Sequence, residues 1–240
     1  MALDYSRISK LIDHSLLVPT LTRQQIEEGL DVAIAYDVAS VCIMPVFHKR
    51  CVERLQGTGV LPSSTVGFPH GANALETKLD EARRLVDEGC AELDMVVSIA
   101  SVLSEDYATV EREVTGVVKI AHAAGRKVKV IFENCFLRDE HKVRLCNICC
   151  DAGADWVKTS TGFGSGGATI EDLQLMLDNV RSPVQVKAAG GIRDYASLIK
   201  VMEMGVTRVG SSRTGDLLGP ARENAGLPPV QSSAAAASNY

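Results

Sequence analysis

The chain has 240 residues, 46% hydrophobic and 23% charged, with a net charge of −5. This make-up belongs to a globular protein with room for one large domain, and α/β barrels of roughly 250 residues form single domains. No strongly basic surface follows from it, which argues against a nucleic-acid partner but leaves room for a local basic pocket that holds a small anion.

Taken in chain order, the amino terminus Met1-Ala2-Leu3-Asp4-Tyr5-Ser6-Arg7 lacks the apolar run of a secretory signal. No later stretch approaches the roughly 18 apolar residues of a membrane helix, so no membrane partner and a cytoplasmic location are expected. A short first helix precedes a candidate strand at Leu11–Leu17. Thr22 is placed to cap a helix over Gln24–Tyr36, which is followed by a strand at Val41–Pro45 and a helix at His48–Leu55. The alternation continues with strands at Thr65–Phe68, Glu92–Val97 and Lys127–Phe132, each leading into a helix: Ala74–Asp87, Tyr107–Ala123 and Glu140–Ala152. Strands at Trp156–Thr159 and Val184–Ala188 precede helices at Ile170–Leu177, capped by Thr169, and Tyr195–Met204. Gly125, Gly153 and Gly205 sit where helices end, and a last strand covers Arg208–Gly210 with no helix predicted after it. Asn224–Tyr240 is broken by Pro228-Pro229 and low in complexity, and it reads as a flexible C-terminal tail beyond a domain of residues 1–223.

Repeated βα units imply a parallel sheet with right-handed crossovers. Counting Leu11–Leu17, there are eight strands, and a unit of about 30 residues fits a single-domain (β/α)8 TIM barrel. An open doubly wound sheet remains an alternative on pattern alone. The seven cysteines are odd in number and lack the spacing of a disulfide scaffold. Cys146, Cys149 and Cys150 fall in a helical pattern and are read as apolar packing, so no metal is expected.

In a barrel, side chains at the carboxyl ends of strands face the active site. Those ends carry Asp13, Cys42, Asp94, Glu133, Lys158 and Lys187. A lysine in an apolar strand is costly to bury unless paired. Lys158 and Lys187 lie on neighbouring strands, and two close ammonium groups in a desolvated site depress each other's pKa. A neutral amine attacks a carbonyl to form a Schiff base, with Asp94 available to hold the second lysine or relay protons. A structural Lys–Asp pair filling the barrel mouth fits the spacing equally well. Lys127 and Lys129 alternate with Val128 and Val130 and read as one face of a strand, and Glu133 reads as a loop anchor. His14, His48, His70, His122 and His141 show no metal spacing; His14 and His70 follow strand-like segments and draw more interest. Two glycine loops, Gly190-Gly191-Ile192-Arg193 and Gly210-Ser211-Ser212, follow the last two strands, where barrel enzymes bind phosphate on backbone N–H groups. Tight βα turns are the alternative. Gly162–Gly167 lacks the strand–turn–helix spacing of a dinucleotide fingerprint, so no NAD is expected.

The motifs Ile12-Asp13-His14, Val66-Gly67-Phe68-Pro69, Glu92-Leu93-Asp94-Met95-Val96, Val157-Lys158-Thr159-Ser160-Thr161-Gly162-Phe163 and Val186-Lys187-Ala188-Ala189-Gly190-Gly191-Ile192-Arg193 resemble the deoxyribose-phosphate aldolase family, from about Leu11 to Ser212. The resemblance implies a cofactor-free (β/α)8 lyase that reversibly cleaves 2-deoxy-D-ribose 5-phosphate to glyceraldehyde 3-phosphate and acetaldehyde. It implies Lys158 as the Schiff-base nucleophile, Lys187 as the cation that lowers its pKa, and Asp94 as the proton-relay carboxylate. Asp13, Cys42 and Thr161 would line the pocket, with Gly162, Gly190, Gly191, Gly210, Ser211 and Ser212 around the phosphate. Tyr240 is a candidate proton relay, because a C-terminal tyrosine enters the site in some members. A homo-oligomer, dimer or tetramer, is expected. Ser98-Ile99-Ala100, Val18 and Arg213-Thr214-Gly215-Asp216 depart from the family pattern and leave substrate preference, phosphate affinity and the last helix open. Two other readings of the residues stand beside this one: a sugar-phosphate isomerase with a carboxylate base, and a non-catalytic phosphosugar-binding protein.

Overall fold

The computed structural model describes residues 4–230. Eight parallel strands close into one barrel in sequence order: β1 Ile12–Leu16, β2 Ser40–Ile43, β3 Leu61–Val66, β4 Glu92–Val96, β5 Lys127–Ile131, β6 Trp156–Lys158, β7 Gln185–Ala189 and β8 Arg208–Ser211. Pairing of β1 with β8 completes the ring and excludes the open sheet. Around it run α1 Tyr5–Ser9, α2 Arg23–Ala35, α3 His48–Leu55, α4 Leu75–Asp87, α5 Ile99–Leu103, α6 Tyr107–Ala123, α7 Asp139–Ala152, α8 Ile170–Asn179, α9 Tyr195–Glu203 and α10 Thr214–Asn224.

Local chemistry sets many of the boundaries. Thr22 and Gln25 form a reciprocal capping box at the start of α2, and Thr169 accepts from the Asp172 N–H at the start of α8. Gly153 adopts a left-handed conformation (φ 75°) and closes α7.

Three elements differ from the sequence expectation. The strand expected at Thr65–Phe68 begins earlier, at Leu61. Its first half carries Pro62, Ser63 and Ser64, and it is held by hydroxyl bonds rather than an apolar pattern: Ser63 donates to Asp94 and Ser64 to the Ile43 carbonyl. The short helix α5 is capped by Ser98, whose Oγ accepts from the Ser101 N–H. A full helix, α10, follows β8 although Pro220 lies inside it. Burial of Thr214, Leu217, Leu218 and Ala221 outweighs the weak local propensity. Past α10, Arg222 donates to the Pro228 carbonyl at 2.9 and 3.0 Å, and Val230 packs against the core. The rest of the expected tail, with Tyr240, lies outside the described residues.

Strand alternation places the core. Ile12, Val41, Leu93, Val128, Val130, Val157, Val186 and Val209 point outward into one hydrophobic cluster with the helices. The alternate residues point into the barrel, and many are charged: Asp13, Glu92, Asp94, Lys129, Lys158, Lys187 and Arg208, all buried. This departs from the branched apolar layers that usually fill such a barrel.

Candidate active site

A pocket of about 420 Å³ opens at the carboxyl ends of β1, β2, β6, β7 and β8. Lys158 and Lys187 form its floor, with Asp13 and Cys42 on one wall. Thr161 and Gly162 come from the loop after β6, Gly190 and Gly191 from the loop after β7, and Gly210, Ser211 and Ser212 from the end of β8. The structure therefore brings together every sequence-selected site residue except two. Asp94 lies directly beneath the floor, and Tyr240 is outside the described residues. Ser15, Val18, Phe163, Arg193 and Arg213 also line the pocket; Arg193 and Arg213 add positive charge beside the glycine loops.

Beneath the floor, Asp94 is saturated with cations. Its Oδ2 accepts from Lys158 and Lys187, each at 2.8 Å, and its Oδ1 accepts from Lys129 at 2.9 Å. Asp13 accepts from Lys187 at 2.5 Å, from the Ser40 hydroxyl at 2.6 Å and from Arg208 at 2.6 Å. Glu92 accepts from Arg208 and from Lys129 at 2.5 Å. Burial alone would push both aspartates up, but the surrounding cations reverse this and hold both carboxyls well below the usual range.

The two pocket lysines differ. Burial is the largest single influence on the Lys158 amine and pushes it down, yet the charge and hydrogen bond of Asp94, together with Cys42, reverse it and the net direction is up. For Lys187, burial outweighs Asp13 and Asp94, Lys158 and Lys129 oppose the charge further, and the net direction is down. The net direction at Lys158 is thus opposite to the expected lowering, and the amine that most readily loses its proton is Lys187.

Lys129, Glu92 and Arg208 were missed in the sequence. The Lys-Val-Lys-Val alternation marks Lys129 only as part of one strand face, and the structure buries it fully against Asp13, Glu92 and Asp94. The available signal was the family of charged residues at the inward register of neighbouring strands: Asp94 pairs with Lys129, and Lys187 with Arg208.

The loops above the floor are tightly fitted. Glu133, at φ 58°, accepts from the Thr161 N–H at 3.1 Å and from the Thr161 hydroxyl, so it anchors the loop after β6. A Cβ on Gly167 would lie 2.5 Å from the carbonyl carbon of Gly190, so the two glycine loops touch through backbone. Gly190 and Gly191 have φ of 71° and 87°, a conformation that frees backbone for close approach to an anion. Phe163 stands over the pocket in edge contact with Phe68, ring centroids 5.5 Å apart.

The remaining candidates divide between core, surface and pocket wall. His14 is buried and its Nδ1 bonds the Thr214 hydroxyl at 2.8 Å, which pins α10 to β1. His70 is exposed and does not line the pocket. The Cys42 thiol faces the pocket but is pushed up to about 11 by burial and by Asp94, so it is protonated at neutral pH. Cys146 and Cys149 are buried in the hydrophobic cluster.

Comparison with known proteins agrees with this geometry. The family model described as DeoC/LacD family aldolase matches residues 7–221. A deoxyribose-phosphate aldolase of Rhodopirellula baltica is 53% identical over 236 residues, covering 98% of both chains. One of Thermococcus gammatolerans is 45% identical, covering 85% of this chain and 92% of its own. Among solved structures, the tetrameric deoxyribose phosphate aldolase of Aeropyrum pernix superposes with a TM-score of 0.83 at 31% identity, over 90% of this chain and 91% of that one. An orotidine 5'-phosphate decarboxylase of Pyrococcus horikoshii, at 11% identity and a TM-score of 0.63, shares the fold. The chain belongs to the DeoC/LacD family of aldolases.

Proposed function

We propose that this chain is a class I deoxyribose-phosphate aldolase, reversibly cleaving 2-deoxy-D-ribose 5-phosphate to D-glyceraldehyde 3-phosphate and acetaldehyde through an imine on Lys158. The observation that carries the reading is the pair of buried amines that share one oxygen of Asp94 at the pocket floor. Four cations, Lys129, Lys158, Lys187 and Arg208, face three carboxylates, Asp13, Glu92 and Asp94. The positive excess favours loss of one ammonium proton, and Lys187 holds its proton least firmly. A proton passed from Lys158 to a neutral Lys187 across Asp94 Oδ2 leaves the Lys158 amine free to attack.

Attack on the aldehyde C1 gives a carbinolamine, and loss of water gives the imine. Deprotonation of the C3 hydroxyl breaks the C2–C3 bond, whose electron pair moves into the iminium to form an enamine as glyceraldehyde 3-phosphate departs. Protonation at C2 and hydrolysis release acetaldehyde and the amine. Lys187 lines the pocket and can serve these proton transfers, with Asp94 linking its amine to that of Lys158. The backbone N–H groups of Gly162, Gly190 and Gly191, with Ser211, Ser212, Arg193 and Arg213, supply donors and charge for the phosphate. Side chains alone provide this chemistry, so neither a metal nor an organic cofactor is required.

A sugar-phosphate isomerase would use a carboxylate base. Asp13 and Asp94 are poor bases here because each is held ionised by several cations. Among the described residues no helix is long and apolar enough to cross a membrane. A homo-oligomer is supported by the tetrameric Aeropyrum pernix relative. Borohydride reduction in the presence of 2-deoxyribose 5-phosphate tests the reading: an adduct is expected on Lys158, and turnover without any adduct contradicts it.

A further inference from the structure

Besides Asp94 and Lys129, two charged residues of the barrel interior do not line the pocket: Arg208 at the start of β8 and Glu92 at the start of β4. They form a buried bidentate pair, with Nη1 and Nη2 of Arg208 each donating to Glu92 at 3.0 Å. The guanidinium also lies 4.8 Å from the ring centroid of Trp156. As packing, such a pair gains little, since apolar residues of similar volume commonly stabilise a core as well or better.

The pair touches the lysine cluster at two points. Arg208 shares Asp13 Oδ1 with the Ser40 hydroxyl, leaving Oδ2 of Asp13 to Lys187 at 2.5 Å and Lys129 at 3.3 Å. Glu92 shares Lys129 with Asp94. The groups facing the pocket amines are Asp13 from β1, Cys42 from β2, Asp94 from β4 and Lys129 from β5, with Arg208 and Glu92 below. The Cys42 thiol is neutral, so the cluster carries one positive charge in excess. In a low-dielectric interior that charge is costly, and a lysine can shed it whereas a guanidinium cannot.

We propose that Arg208 and Glu92 are a positioning pair for the reaction: Arg208 supplies the fixed positive charge that makes a pocket lysine give up its proton, and Glu92 moderates that push. Neither residue touches substrate; both act through Asp13 and Lys129. The proposal rests on the aldolase reading, which requires one neutral amine. The downward direction at Lys187 agrees with it.

Charge-neutral variants test it, because the two partners of one salt bridge must act in opposite directions. Arg208→Gln leaves three lysines matched by three carboxylates, and the acid limb of kcat/KM is expected to move up by about one pH unit. Glu92→Gln leaves four cations facing two carboxylates, and the limb is expected to move down by about one pH unit. The double variant Arg208→Gln/Glu92→Gln restores the single positive excess, and its limb is expected to return to the wild-type position. Side-chain NMR titration of the lysine Cε resonances must follow the same order, and it needs no turnover. Borohydride trapping in the wild type tests the aldolase reading separately. Limbs and titrations that move the same way in both single variants, or do not move in folded protein, overturn the proposal. If Arg208→Gln does not fold, the opposite movement of Glu92→Gln and the return in the double variant still decide.

Discussion

Lys158 and Lys187 donate to the same carboxylate oxygen, Oδ2 of Asp94, each at 2.8 Å. One oxygen thus bridges the amine proposed to attack the substrate and the amine that most readily loses its proton. The lysines sit side by side on β6 and β7 in directly paired register, so the barrel itself fixes their spacing.

Asp94→Asn removes this bridge and leaves Lys129, Lys158 and Lys187 without their common anion. Turnover is expected to fall by roughly 10²–10⁴-fold, the range for a positioned proton-transfer group. The double loss of charge and acceptor also predicts weaker borohydride trapping at a fixed pH. Steady-state kinetics against pH check it; an Asn variant within about threefold of wild type would remove Asp94 from the mechanism.

The phosphate end is tested by Gly191→Ala. Gly191 has φ 87°, and an added Cβ would lie 2.9 Å from the Ala168 carbonyl oxygen. The backbone must shift, at a stability cost of about 1 kcal/mol. KM for 2-deoxyribose 5-phosphate is expected to rise by roughly tenfold, the equivalent of one lost backbone hydrogen bond. KM for unphosphorylated 2-deoxyribose should change little. Equal changes for both substrates would place the phosphate elsewhere.

Glu133→Gln tests the loop anchor. Glu133 holds both the N–H and the hydroxyl of Thr161, the residue that leads into Gly162. Loss of the carboxylate charge weakens both bonds and is expected to cost about 1–2 kcal/mol of stability. Calorimetry should show a lower Tm, and kinetics a higher KM with a smaller change in kcat. An unchanged KM would show that the loop is held by its other contacts.

Acid stability depends on buried histidines. His48 is fully buried, with no hydrogen-bond partner on either ring nitrogen, and burial lowers its pKa from 6.5 to about 4. His14 is lowered by burial to about 4 as well. Between those values the unfolded chain binds more protons than the folded one, so stability is complete above about pH 6.5 and declines as pH falls toward 4. His48→Leu is expected to flatten that decline and to cost little at neutral pH, since no partner is lost. Urea unfolding at several pH values checks it; an unchanged slope would mean that His48 does not contribute.

The sequence made the chemistry of the pocket legible because charge in an apolar strand is conspicuous. Lys158 in Trp-Val-Lys and Asp94 in Glu-Leu-Asp-Met-Val are anomalous wherever the strands lie. Lys129 was hidden by the opposite circumstance: in Lys-Val-Lys-Val it is indistinguishable from a solvent-facing position unless the inner face of the barrel is known to be polar. Arg208 is the first residue of its strand, where a charge is not anomalous. The helix α10 escaped because Gly215, Gly219 and Pro220 depress its local propensity, while the contacts that stabilise it come from β1 and the core. Register carried what pattern could not: Asp13, Asp94 and Lys187 converge only once β1 pairs with β8.

The proposed mechanism forms its imine on Lys158. Reduction with borohydride in the presence of 2-deoxyribose 5-phosphate, followed by peptide mass mapping, measures it directly. The expected result is added mass on the peptide bearing Lys158, abolished in Lys158→Arg. An adduct on Lys187 in the wild type, or turnover retained by Lys158→Arg, would contradict it.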